Sequence, residues 1–241
     1  MLKSVAPLAA AAIALAGCDR GPTRVAWDDP AGDVKPLASA PDQPRFDIVR
    51  VEAWGSDGAL RLRVRLSESL DRFFGYTSPD GKKGGGVVAQ FFIDADSNPQ
   101  TGGHPRWAKD AARPLRGYEY EVSLQLGYRY QQDLAEGAVF GGAFVYTANV
   151  TDLQPAARFW PFRLRQGSDS HDLASLKLPP DASDMAQKAT TMSNDTIETA
   201  IPYEWLGLKA GDTLRLCFKE PDQGAASGKS FSDDKVLKLG R

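Results

Sequence analysis

From residue 46 the chain alternates between apolar and polar positions. Phe46, Ile48, Val49 and Val51 lead to Trp54, and Ser56-Asp57-Gly58 supplies a turn. Leu60, Leu62, Val64 and Leu66 then alternate with Arg61, Arg63, Arg65 and Ser67. A period of two with one apolar side predicts a β-hairpin with one buried face. Val87 to Ile93 is almost continuously apolar, which predicts a more central strand. Tyr118 to Tyr130 alternates again, with Tyr118, Tyr120, Val122, Leu124 and Leu126 on one side and Ala138 to Val150 as a candidate partner. Leu173 to Leu178, Thr196 to Ile201, Thr213 to Lys219 and Lys235 to Leu239 read as further strands. Pro202-Tyr203-Glu204-Trp205-Leu206 suits one helical turn opened by proline, with Trp205 in the core. The lead-in over 27–44, the glycine-rich stretch 81–86, and the stretches 94–117, 179–194 and 220–234 read as polar loops. With roughly nine to eleven short strands and no long amphipathic helix, the pattern predicts an all-β fold. We expect a single β-sandwich, of jelly-roll or immunoglobulin-like type, with long polar loops.

The first residues follow a different pattern. Lys3 precedes an apolar run from Val5 to Ala16. That run is shorter than the roughly 20 residues a membrane-spanning helix needs, and suits the apolar region of a signal peptide. Leu15-Ala16-Gly17-Cys18 resembles the lipobox of bacterial lipoproteins. The resemblance implies cleavage before Cys18, a lipid on its thiol, and acylation of the new amino group. Several acyl chains give firm anchoring where one is marginal. The expected organisation is a leader over 1–17, Cys18 and a tether over 18–26, and one domain over 27–241. The expected location is the bacterial cell envelope, on the periplasmic or outer face of a membrane.

Composition narrows the partners. Loss of Lys3 with the leader takes the formal net charge from −2 to −3, so there is no basic excess for nucleic acid. Besides Cys18 the only cysteine is Cys217, so no internal disulfide forms once Cys18 is lipidated. Cys217 sits in the apolar run Leu214-Arg215-Leu216-Cys217-Phe218 and reads as a buried strand residue.

The stretch after Ile93 carries the clearest candidate chemistry. Asp94, Asp96 and Asn98 alternate, with Thr101, Gly102 and Gly103 close behind. Calcium takes six to eight oxygen ligands at about 2.3–2.6 Å, and alternate Asx side chains on a turning loop can aim oxygens at one point. The competing reading is a set of Asx turns in which these side chains bond the local backbone. An EF-hand is excluded: counting from Asp94, Pro99 stands where the loop needs glycine and Pro105 where it needs glutamate.

Three stretches together resemble the DOMON-like superfamily, which includes family 9 carbohydrate-binding modules. They are Asp29-Pro30-Ala31-Gly32-Asp33 followed by Phe46-Asp47-Ile48; Phe92-Ile93-Asp94-Ala95-Asp96-Ser97-Asn98-Pro99-Gln100-Thr101-Gly102-Gly103; and Ile197-Glu198-Thr199-Ala200-Ile201-Pro202-Tyr203-Glu204-Trp205-Leu206-Gly207-Leu208 with Gly211-Asp212. The resemblance implies a β-sandwich, often calcium-bound, with ligands that vary among members. Asp33 and Asp47 match acidic positions in the family's first motif, which makes them candidates for this ion site or a second one, against a reading as solvated turn and strand-end residues. Residues 152–195 match no part of the pattern.

Little points to catalysis. The two histidines are His104 and His171. The run Ser168-Asp169-Ser170-His171-Asp172 holds triad residue types, but neighbours in sequence seldom converge as a triad does, and no nucleophile elbow is present. Trp107, in the continuation of the acidic loop, is the candidate for stacking on a sugar ring, against simple packing within the loop. The expectation is therefore a membrane-anchored, non-catalytic binding or accessory module, stabilised by calcium and facing carbohydrate. The alternative is an extracytoplasmic carbohydrate-active enzyme or its accessory subunit.

Overall fold

A computed structural model describes residues 23–29, 31–32, 34, 42–78, 86–106, 108, 111, 113–129, 154–172, 175–220 and 231–240. Among them, strands β1 (Arg24–Asp28), β2 (Ile48–Ser56), β3 (Ala59–Leu66), β7 (Thr190–Ser193) and β8 (Thr196–Pro202) form one antiparallel sheet in the order β1-β2-β3-β8-β7. Strands β4 (Gly86–Asp94), β5 (Tyr120–Arg129), β6 (Gln154–Arg163), β9 (Thr213–Lys219) and β10 (Lys235–Lys238) form the second, in the order β10-β9-β4-β5-β6. The sheets make a sandwich and not a closed barrel. Where β1 and β10 approach, side chains make the link: Trp27 Nε1 donates to Asp233 O at 2.9 Å and Lys235 Nζ to Ala26 O at 2.6 Å.

The alternation seen in sequence becomes the two faces of each sheet. Val51, Ala53, Leu60, Leu62, Val64, Ile197 and Ile201 fill the core from the first sheet, and Phe91, Ile93, Val122, Leu124 and Phe159 fill it from the second. Trp205 lies in this core against Phe159, on a 3₁₀ turn over Tyr203–Leu206, as its apolar neighbours required. Cys217 is buried and free, as its run predicted.

The second sheet is covered on its other face too. Phe92, Leu115, Tyr118, Leu164 and Cys217 form a smaller buried cluster there. This explains why β4 reads as apolar throughout: it lies between β5 and β9 and is buried on both sides. It also moves Tyr118 off the face it was expected to share with Tyr120. Tyr118 precedes β5 and pairs with Gly103 in an isolated bridge, and Gly117 before it has φ +80°. The alternation of β5 itself starts at Tyr120.

Other segments differ from expectation. Arg24–Ala26, placed in the tether, belong to β1, which pairs with β2 over Arg24↔Trp54 to Asp28↔Arg50. Residues 179–194, expected as loop, contain helix α2 (Ala182–Lys188) and edge strand β7. The helix leaves a faint apolar signal because only Ala182 and Ala186, one turn apart, are buried. The strand is missed because Thr191 and Ser193 face solvent while Thr190 and Met192 are half-buried. No strand runs through 175–178, where part of one was expected. A short helix α1 (Leu70–Gly75) follows β3, with Ser69 Oγ accepting from Asp71 N at 3.3 Å. The proposed partner strand over 138–150 lies outside the described residues; β6 fills the place beside β5.

Candidate metal centre

Asp94 ends β4 and is fully buried. Register places it opposite Arg215 of β9, and the guanidinium grips Asp94 Oδ2 from Nε at 2.9 Å and from Nη2 at 2.7 Å. Its other oxygen accepts from Asn98 N at 3.1 Å. The chain then turns. Ser97 has φ +56°, and Asp96 Oδ1 accepts from Asn98 N at 2.9 Å, an Asx turn.

The third carboxylate comes from outside the loop. Glu119 stands immediately before β5, and its N–H donates to Ile93 O at 2.9 Å. Glu119 Oε2 accepts from Ala95 N at 2.7 Å. Ligand atoms of Asp94, Asp96 and Glu119 all lie within 4.8 Å of one another. Glycines make the close approach possible. A Cβ on Gly102, at φ +64°, would sit 2.5 Å from Glu119 Oε1 and from Tyr118 O, and one on Gly117 would sit 2.4 Å from Pro99 Cα.

The centre has more acceptors than protons. Thr101 Oγ1 lies 3.0 and 2.9 Å from the two oxygens of Asp96, 2.9 Å from Asn98 O and 3.2 Å from Glu119 Oε1. A hydroxyl has one proton, and since Asn98 N already donates to Asp96 Oδ1 and Thr101 N to Asn98 O, Asp96 Oδ2 and Glu119 Oε1 compete for that single proton. The electrostatics agree. Burial, with Asp96 and Asp94 adding to it, raises the Glu119 pKa against the pull of Ala95 N and Thr101. Burial also raises the Asp94 pKa, with a smaller push from Asp96, despite Arg215 and the Asn98 amide. Three carboxylates and one guanidinium leave a net formal charge of about −2 when all are ionised, which suits a divalent cation held by hard oxygen donors.

Of the residues expected from sequence, Asp94 and Asp96 are brought together. Asn98 stands in the same loop, but its side-chain oxygen accepts from Gln100 N at 3.1 Å, so its described contacts to the centre run through its backbone. The competing Asx-turn reading thus holds for Asn98, while Asp96 serves both the turn and the cluster. Asp47 lies elsewhere, just before β2 in the other sheet; its Oδ2 accepts from Gly32 N at 2.8 Å, and its buried Oδ1 has no partner among the described residues. Cys18, Asp33 and Trp107 lie outside the described residues.

Glu119 escaped the sequence reading because it lies 23 residues beyond Asp96 in the chain. One signal could have found it: pairing β5 with β4 sets Ile93 opposite Tyr120, which brings the residue before Tyr120 to the acidic end of β4.

His171 is half-buried and pairs with Leu164 in an isolated bridge. Its ring stacks on Phe162 with centroids 4.4 Å apart, and Nε2 lies 3.1 Å from Glu121 Oε2. Gln90 Nε2 donates to Glu121 Oε1 at 2.6 Å, so this buried carboxylate is satisfied by its neighbours. No serine joins His171 in a described contact, and the cluster reads as part of the packing outside β5. Comparison of the chain with protein-family models, with curated proteins and with solved structures found no match.

Proposed function

We propose that this chain is the precursor of a lipid-anchored bacterial envelope protein whose mature part is a non-catalytic, DOMON-like binding or accessory module stabilised by calcium. The observation that carries the calcium assignment is the convergence of Asp94, Asp96 and Glu119 at one end of the sandwich, with ligand atoms within 4.8 Å of each other and a single hydroxyl proton shared between Asp96 Oδ2 and Glu119 Oε1. A cation there would bind the end of β4, the loop after it and the start of β5 into one unit. Carboxylate and backbone carbonyl oxygens are the ligand set calcium prefers, and no histidine or cysteine joins the cluster among the described residues to favour a softer metal.

The lipid anchor is supported by the Leu15-Ala16-Gly17-Cys18 pattern after a short apolar run. Carbohydrate as ligand rests on the family resemblance and on Trp107. The experiment that tests the metal is a calcium titration of the EDTA-treated protein followed by calorimetry. Saturable binding near one equivalent, lost in Asp96→Asn with Glu119→Gln, is the expected result. Absence of heat at millimolar calcium would remove the metal from the proposal.

A further inference from the structure

The outer face of the first sheet carries a donor-rich row with no function assigned so far. Strand register sets the residues in rows across the sheet. Glu52, Arg63, Glu198 and Thr191 make one row, by the pairs Glu52↔Arg63, Arg63↔Glu198 and Thr191↔Glu198. This row is closed: Arg63 donates to Glu198 Oε2 from Nη2 at 2.7 Å and from Nε at 3.0 Å, and reaches Glu52 Oε2 at 3.4 Å.

The neighbouring row is different. The pairs Arg50↔Arg65, Arg65↔Thr196 and Ser193↔Thr196 put two arginines directly opposite each other, followed by two hydroxyl residues. Like charges directly opposite on neighbouring strands are unfavourable unless something negative lies between or beside them. Arg50 is held by Asp28 and, at 3.4 Å, by Glu52. Arg65 is held through Nε alone, by Asp195 at 2.9 Å, so its two terminal amino groups have no partner among the described residues. Its side chain is 59% exposed. The Ser193 hydroxyl makes no described hydrogen bond either. These groups line an open groove of roughly 600 Å³ together with Glu52, Glu198 and Thr191. That volume suits a ligand of a few sugar rings.

We propose that this groove binds a sugar acid, with its carboxylate between Arg50 and Arg65 and its hydroxyls on Ser193, Thr191 and Glu198. A guanidinium fork matches a planar carboxylate with two parallel hydrogen bonds. The acids on the same face select a monoanion over a dianionic phosphate, because Glu52, Glu198 and Asp195 repel the second charge. Hydroxyls both donate and accept, so they fit a rim that mixes serine, threonine and glutamate. This site is on the sheet opposite the acidic centre and does not depend on a metal there.

The test is calorimetry of the purified full-length protein with three probes: galacturonate, which carries a single carboxylate, its methyl ester, and glucose 6-phosphate. Galacturonate is expected to bind, and to weaken as salt is raised. The ester and the phosphate are expected to bind at least about tenfold more weakly. Arg65→Met is expected to weaken galacturonate about tenfold and Ser193→Ala a few-fold, with unchanged circular dichroism. No saturation by galacturonate up to about 20 mM, equal binding of the ester, tighter binding of the phosphate, or full affinity in Arg65→Met would each overturn the proposal.

Discussion

Replacing Glu119 by Gln gives a test in which the sign of the effect changes with calcium. In calcium-free solution the three carboxylates repel one another, and burial adds to the cost of ionising Glu119. A carboxyl whose folded-state pKa is raised stabilises the fold fully below its unfolded pKa, and that contribution is lost as pH rises through the folded value. At neutral pH in EDTA, Glu119 therefore works against the folded state. Glu119→Gln keeps the shape and an oxygen that can accept from Ala95 N, as Glu119 Oε2 does at 2.7 Å, while removing the charge. The variant should melt at or above the wild-type temperature in EDTA. Calcium reverses the order. At a free concentration 100 times Kd, binding adds about 2.7 kcal/mol to the folded state. For a domain of about 220 residues, each kcal/mol moves Tm by roughly 2–4 °C, so the wild type should gain about 5–10 °C. Glu119→Gln should lose most of that gain. The assay is differential scanning calorimetry of both proteins in EDTA and in calcium, at pH 5, 6 and 7. Acidification should stabilise the cation-free wild type as Glu119 and Asp94 take up protons, and should erode the calcium gain through the same groups. A variant less stable than wild type in EDTA, together with an undiminished calcium shift, would refute the electrostatic reasoning.

Other expectations follow from the same contacts. Arg215→Met should cost about 3–5 kcal/mol in guanidinium unfolding without calcium, because it leaves the fully buried Asp94 carboxylate without its guanidinium partner; a loss below 1 kcal/mol would mean that Asp94 is neutral in the fold. Gly102→Ala should cost about 1–3 kcal/mol and weaken calcium binding together, since φ is +64° and the new Cβ would meet Glu119 Oε1 at 2.5 Å; urea midpoints with and without calcium measure both. Cys217 should resist thiol reagents in the native protein at pH 8 and react once unfolded, because burial pushes its pKa up to about 12; rapid native labelling would contradict its place beside Tyr118. Cys18→Ser should release the protein from the membrane fraction of an expressing bacterium, and retention there would remove the lipid anchor.

What was legible in the sequence was local. Alternation marked β2, β3 and β5 because one face of each meets the core and the other does not, and the unbroken apolar run of β4 marked a strand covered on both sides. The turn at Gly211-Asp212, the buried Trp205 and the Asp94-Asp96 loop were likewise readable from neighbours a few residues apart. Segments whose apolar face is thin escaped: α2 buries two alanines, β7 buries nothing fully, and β1 is a five-residue edge strand in a stretch rich in turn residues.

The tertiary structure decided what meets what across long separations. Glu119 reaches the acidic loop because β5 pairs with β4, and Arg215 reaches Asp94 because β9 pairs with β4 on its other side. Arg50 and Arg65 share a row because of a hairpin register that includes an irregularity between Ile48 and Arg50. Periodicity shows which face of a strand a residue occupies, but not which strand lies beside it. Strand pairing joins residues a hundred positions apart through backbone hydrogen bonds that are alike for every sequence, so the partners of a carboxylate are fixed only when the sheets assemble.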